Sequence, residues 1–161
     1  MRKANGKVMY AACLILLVGT IYLFAQADAF FSLGSTTIKG DVIQLSKNEI
    51  LSHLRSILTI ILCFTGGILL LKIKSPGWII SQAILLLLLS ILTGILLSNM
   101  SNIKELNISG IGLIGGISLL LLAILFLMQN KTRQKFNINR KSFLAVLLIF
   151  VLLSVFYFFL Q

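Results

Sequence analysis

The chain has 161 residues, of which 58% are hydrophobic and only 11% are charged. This composition excludes an ordinary water-soluble domain and is typical of an integral membrane protein. The formal net charge of +10 at pH 7 would suit a nucleic-acid-binding protein. The basic residues, however, lie mostly in short segments between apolar runs, so we expect no nucleic acid partner.

The first apolar run predicts a membrane-spanning helix over residues 8–31, after a basic segment that contains Arg2, Lys3 and Lys7. A cleaved signal peptide is the alternative, because residues 25–29 contain two Ala-x-Ala triplets with the spacing of a cleavage site. The number of spans is therefore five, or four if this segment is removed.

Two further runs predict a helical hairpin, with a second helix over residues 46–73 and a third over residues 78–98. Each provides about 20 residues, the length needed to cross roughly 30 Å of hydrocarbon. The connection holds the chain's only proline and only tryptophan beside two lysines. Because Pro76 disfavours helical backbone at Ser75 and tryptophan suits the headgroup region, we expect a turn at the membrane surface and a third helix that begins at Trp78.

The polar segment before the second helix carries two local signals. Residues 36–43 place β-branched residues around a Gly-Asp pair, which predicts a small β-hairpin. Ser46 and Glu49 have the spacing of a capping box, in which each side chain accepts from the other residue's backbone amide. We therefore start the second helix at Ser46.

The rest of the chain predicts a fourth helix over residues 110–128, a basic polar connector over residues 129–142 and a fifth helix over residues 143–160. The expected fold is thus all-α, a single membrane domain that consists of a bundle of five transmembrane helices. The aromatic residues at the end of the last helix suit the far interface of the membrane.

The distribution of charge predicts the orientation of the bundle in the membrane. With alternating helices, one side receives ten basic residues and no acidic ones: Arg2, Lys3, Lys7, Lys72, Lys74, Lys131, Arg133, Lys135, Arg140 and Lys141. The other side receives four of each sign: Lys39, Lys47, Arg55, Lys104, Asp28, Asp41, Glu49 and Glu105. The positive-inside rule then predicts a cytoplasmic N-terminus and an external C-terminus, in a cell membrane that we expect to be a bacterial inner membrane. The signal-peptide alternative leaves every loop on the same side.

Small residues predict a close contact between the third and fourth helices. Residues 110–115 match the Gly-x-Gly-x-x-Gly pattern of dinucleotide-binding folds, but no acidic residue follows Glu105, so helix packing is the better interpretation. We expect the two helices to pack antiparallel along two stripes, which consist of Ser90, Gly94 and Ser98 on the third helix and Gly112, Gly116 and Ala123 on the fourth. Gly66 and Gly67 predict either another close approach or a flexible point.

One titratable cluster lies near the start of the second helix. Glu49 and His53 are four residues apart and share a helix face, and Arg55 follows them. Interfacial anchoring is the ordinary role of such residues, whereas relay of a proton or binding of an ion is the functional alternative.

Motifs of metal-dependent and serine hydrolases are absent from the sequence, and its single histidine cannot form a histidine-rich metal site. We therefore expect no enzyme activity, cofactor or metal. The sequence favours a non-catalytic accessory, assembly or interaction subunit, with the lipid bilayer, anionic headgroups and either a second copy or another membrane protein as partners. A small oligomeric channel or facilitator lined by serine, threonine and glutamine is the alternative. A membrane enzyme that uses Glu49, His53 and Arg55 ranks third.

Overall fold

The computed structural model describes residues 5–37, 47–99 and 108–158, and within these ranges it contains α-helices and no strand. The helices are α1 (Gly6–Thr37), α2 (Lys47–Leu71), α3 (Ser75–Asn99), α4 (Ile108–Met128), α5 (Asn130–Lys135) and α6 (Arg140–Phe158). All except the six-residue α5 are long and apolar enough to cross a membrane. The prediction of an all-helical chain with five such helices is confirmed.

Several boundaries differ from those predicted. α3 begins at Ser75 rather than Trp78, because a proline in the first turn of a helix has no intrahelical hydrogen bond to lose. The basic connector is shorter than expected, since it contains α5 and α6 begins at Arg140. Thr36 and Thr37 belong to α1 instead of a hairpin. The remainder of that predicted hairpin and Ser46 lie outside the described residues.

A tight backbone motif ends α2 and turns the chain into α3. The amide of Lys74 donates to the carbonyl of Leu69 at 3.1 Å, and the amide of Ile73 donates to that of Leu70 at 3.0 Å. Ile73 adopts a left-handed conformation with φ of 51°. These features define a Schellman motif, which satisfies the last carbonyls of α2 and reverses the chain within three residues.

α3 is the central helix of the bundle, and it packs on α1, α2, α4 and α6. The helices α1, α2, α3 and α4 each pack on the next, and α4 returns to α1, so these four form a closed ring. Of the residues in the most apolar part of α3, 39% are buried, against 11% in α6. α6 therefore lies on the outside of the ring with most of its surface uncovered.

Contacts between distant residues identify the two ends of the bundle. At one end, which we call the connector end, Lys7 Nζ donates to Gln129 Oε1 at 2.7 Å. At the other, which we call the His53 end, the hydroxyl of Tyr157 donates to the carbonyl of Arg55 at 3.4 Å. Successive spanning helices therefore run in alternate directions. Which end faces the cytoplasm stays a prediction.

Candidate functional site

The closest helix contacts involve glycines on α1, α2 and the start of α3. A Cβ atom placed on Gly19 would lie 2.8 Å from Cys63 Cβ, and one placed on Gly67 would lie 2.7 Å from Leu16 Cγ. A Cβ atom on Gly77 would come within 3.0 Å of the backbone of Leu69. Only glycine lets these segments approach so closely, and in hydrocarbon such approach is a main source of helix association.

Gly66 makes a similar contact, because a Cβ atom there would lie 3.1 Å from Ile80 Cγ2. Of the two interpretations of Gly66 and Gly67, the structure therefore favours close approach: α3 covers the first glycine and α1 covers the second.

The glycines of the predicted stripes on α3 and α4 are less tightly packed than the glycines described above. α3 and α4 do pack on each other, but a Cβ atom on Gly94 or Gly112 would meet no atom of the described residues within 4 Å. One on Gly116 would lie 3.5 Å from Leu92 Cδ1, which is ordinary contact, and Ala123 is fully buried. Among the described residues, the α3–α4 contact therefore includes Gly116 and not Gly94 or Gly112.

The two serines of the α3 stripe add little to that contact. The hydroxyl of Ser90 donates to the carbonyl of Leu87 in its own helix at 2.7 Å. Ser98 is exposed near the end of α3. Neither serine donates a hydrogen bond to α4 within the described residues.

His53 pairs with α1 in the structure. Gln26 Nε2 lies 2.5 Å from His53 Nδ1, so the amide donates to the ring when the imidazole carries its hydrogen on Nε2. The ring of Phe30 stacks on the imidazole with 5.5 Å between centroids. The side chain of Glu49 lies outside the described part of the chain, so its interaction with His53 stays a prediction. These contacts tie α2 to α1 and support a structural role for His53.

An apolar groove of about 340 Å³ adjoins this histidine, because Gln26 and Phe30 contact His53 and also line the groove. It runs between α1 and α2, and its walls are Leu23, Gln26, Ala27, Phe30, Ile57, Ile60 and Ile61. The walls carry hydrocarbon almost throughout, so the groove offers shape but no catalytic group.

Arg55 lies beside a second polar contact at the His53 end. The hydroxyls of Thr59 and Tyr157 form a hydrogen bond with each other. Thr59 Oγ1 also lies 2.9 Å from the carbonyl oxygen of Arg55. The hydrogen bond between Thr59 and Tyr157 ties the end of α6 to α2. Of the predicted cluster, the structure thus places His53 against α1 and the backbone of Arg55 against α6.

An aromatic and cationic arrangement holds the connector end together. Trp78 is fully buried, and its Nε1 donates to the carbonyl of Leu127 at 2.9 Å. The ring of Phe143 meets the indole edge to face with 5.4 Å between centroids. The guanidinium of Arg133 lies over Phe143, 4.6 Å from its centroid. This series of contacts links α3, α4, α5 and α6.

α5 ends with the same motif as α2, and an open polar pocket lies beside it. Asn137 adopts a φ of 51°, and the amide of Ile138 donates to the carbonyl of Arg133 at 3.1 Å. Asparagine tolerates this left-handed conformation better than most residues. The pocket has a volume of about 680 Å³.

The interior of the ring is filled with apolar side chains. Its largest fully buried members besides Trp78 include Ile15, Leu70, Leu85 and Leu127. Ser81 and Gln82 are buried in α3, and the polar atoms of both side chains have no hydrogen-bond partner among the described residues. The described part of the chain also contains no group of three residues able to bind a metal ion.

No protein-family model matches the sequence, and neither a curated protein nor a solved structure matches it. The function is therefore inferred from the chain's own residues.

Sequence reasoning missed several residues that form these contacts. Gln26 falls inside the segment that resembles a cleavage site, and Tyr157 falls inside an aromatic cluster typical of an interface. A polar side chain in an apolar helix was the available signal for Gln26, since such a group needs a partner in hydrocarbon. No local pattern pairs Arg133 with Phe143.

Proposed function

We propose that this chain is a non-catalytic multi-pass membrane protein that works by contact with another membrane-embedded chain, through the first half of α4. It would act as an accessory, assembly or interaction subunit. A partner protein and a second copy of the chain are the two occupants that the experiment below distinguishes.

One contrast carries this proposal. Each glycine on the facing segments of α1, α2 and the start of α3 has a neighbour against it: Gly19, Gly66, Gly67 and Gly77. Four glycines on the end of α3 and the first half of α4 have no described atom within 4 Å of an added Cβ, namely Gly94, Gly110, Gly112 and Gly115, and Gly116 makes only an ordinary contact of 3.5 Å with Leu92. Gly112 and Gly115 are three residues apart and both exposed, so they share a face of α4. A second helix can approach that face as closely as α1 approaches α2.

A path for ions or solutes through one chain finds little support. The exposed hydroxyl of Thr65 donates to the carbonyl of Ile61 at 2.7 Å, and that of Ser118 donates to Ile114 at 2.8 Å. Both groups are satisfied within their own helix. The alternative of a small channel or facilitator therefore requires several copies of the chain. Solute flux into liposomes that contain only the purified protein would favour that alternative.

The orientation is also part of the proposal. The positive-inside rule supports a cytoplasmic connector end, with the N-terminus inside and the C-terminus outside a bacterial inner membrane. Reporter fusions after Ser75 and Asn137 should report the cytoplasm, and fusions after Asn102 and Gln161 should report the exterior. The opposite pattern would overturn the orientation without affecting the contact on α4.

Cysteine crosslinking tests the contact directly. Cys13 and Cys63 are first replaced by alanine, which keeps the Cβ atom that faces Gly19. Gly112→Cys is then labelled with a photoactivatable benzophenone maleimide and irradiated in native membranes, which captures an adjacent chain whether or not that chain has a cysteine. Leu147→Cys on α6 is the matched control, because Leu147 is 62% exposed and lies on the least buried helix.

We expect a crosslinked product from position 112 and little from position 147. A product of twice the chain's mass identifies a second copy, and mass spectrometry identifies any other partner. No product at position 112, or equal products at both positions, would contradict the proposal.

A further inference from the structure

The polar pocket at the connector end has the chemistry of an anion site. Its wall consists of Asn130, Arg133, Gln134, Asn137, Ile138 and Asn139. Five of these six residues are polar, and one carries a positive charge. Residues 129–142 include five basic residues and no acidic one, so no carboxylate of this segment competes for Arg133.

Arg133 is held in position by an aromatic ring, and its Nε atom has no hydrogen-bond partner among the described residues. Its guanidinium lies over the ring of Phe143, and Phe143 packs against the buried Trp78. The Nε atom itself is buried. The Arg133 side chain as a whole is only half-buried and lines the pocket, and a guanidinium fixed by an aromatic ring in such a wall suits the oxygens of a phosphate group.

The pocket lies where phosphate groups are abundant. Its lining residues belong to the segment between the span that ends at Met128 and the span that begins at Arg140. This segment lies at a membrane surface if the two helices cross the bilayer. Lys7 also reaches this region through its hydrogen bond to Gln129. Basic groups near a membrane surface attract anionic lipids, and the neighbouring amides can donate to further headgroup oxygens.

We propose that the pocket beside α5 binds the phosphate group of an anionic phospholipid, with Arg133 as the main contact. This goes beyond the proposed function, because it requires no second protein. It also differs from general attraction to a charged surface, since one arginine should matter far more than its neighbours.

The experiment measures lipid retention by the purified full chain in detergent, with native mass spectrometry after addition of phosphatidylglycerol or phosphatidylcholine. Arg133→Gln is compared with Arg140→Gln, which removes the same charge from an exposed residue that does not line the pocket. Trp78 is the only tryptophan, so its unchanged fluorescence verifies that each variant is folded.

We expect Arg133→Gln to weaken phosphatidylglycerol retention about tenfold, as loss of a charge-assisted hydrogen bond predicts, and Arg140→Gln to change it less than about twofold. Equal losses in the two variants, or no preference of the unaltered chain for phosphatidylglycerol, would overturn the proposal. A second measurement adds inorganic phosphate to the lipid-bound protein. Displacement of the lipid by low concentrations of free phosphate would assign the site to a soluble anion and overturn its assignment to lipid.

Discussion

The indole Nε1 of Trp78 donates a hydrogen bond to the carbonyl oxygen of Leu127 at 2.9 Å, and this bond joins the first turn of α3 to the last turn of α4. The carbonyl is near the end of its helix, where the next turn no longer supplies an amide donor. The indole N–H therefore satisfies a backbone carbonyl of another helix, and the ring packs in the core. The short turn after α2 places it there.

Replacement of Trp78 by phenylalanine should keep an aromatic ring beside Phe143 but remove this bond. We expect a loss of about 1–3 kcal/mol in the free energy of unfolding, from the missing hydrogen bond and the volume left empty. Circular dichroism during denaturation in mixed micelles measures it. Phe158→Leu, which alters an aromatic residue that is 49% exposed, serves as the control. Equal stability of the Trp78 variant and the unaltered chain would contradict the role of the bond.

Gly77→Ala should be among the most damaging single methyl additions in the described helices. The new Cβ atom would overlap the backbone of Leu69 and Leu70, which cannot move aside as a side chain can. We expect a cost of at least about 3 kcal/mol or failure to accumulate in the membrane. Gly94→Ala is the matched control, because no described atom lies within 4 Å of its Cβ position and alanine favours the helix. Folded yield by fluorescence-detected gel filtration compares them, and similar yields would refute the close contact.

Thr59 and Tyr157 should be energetically coupled, because their hydroxyls share a hydrogen bond between α2 and α6. Thr59→Val and Tyr157→Phe each remove one hydroxyl with little change of shape. A double-mutant cycle should give a coupling free energy of about 0.6 kcal/mol, the average for hydrogen bonds between membrane helices, and at most about 1.7 kcal/mol. Strictly additive effects would show that α6 is not held to α2 by this pair.

Two buried glutamines should respond in opposite ways to replacement by leucine. The amide of Gln82 has no partner among the described residues, so Gln82→Leu should stabilise the fold by about 1–2 kcal/mol. The amide of Gln26 bonds His53, so Gln26→Leu should destabilise it by about 1 kcal/mol. Unfolding in mixed micelles measures both. A destabilised Gln82 variant would mean that this amide has a partner in the membrane.

The sequence predicted the number of spanning helices well, because hydrocarbon thickness sets the length of each apolar run. Helix ends were less accurate, as at Ser75, where a proline that disfavours helix elsewhere is accepted in the first turn. The short helix α5 was missed since its six polar residues have no apolar periodicity.

The partners of each helix face were hardest to predict. Leucine and isoleucine face both lipid and neighbouring helices, so their pattern does not distinguish the two surfaces. Spacing suggested contacts at Gly94 and Gly112, whereas the tightest contacts of the described glycines lie at Gly19, Gly67 and Gly77. The hydrogen bond from Gln26 to His53 joins residues 27 positions apart on different helices, and no local pattern encodes it.

The mass of the complex that contains this chain, measured after release from native membranes into lipid nanodiscs without detergent, tests whether α4 contacts another chain. We expect a mass well above that of a single chain. Gly112→Leu, at a position where an added Cβ atom meets no described atom within 4 Å, should reduce the mass to that of a single folded chain. A single chain in the unaltered protein, or an assembly that Gly112→Leu leaves intact, would contradict the contact on α4.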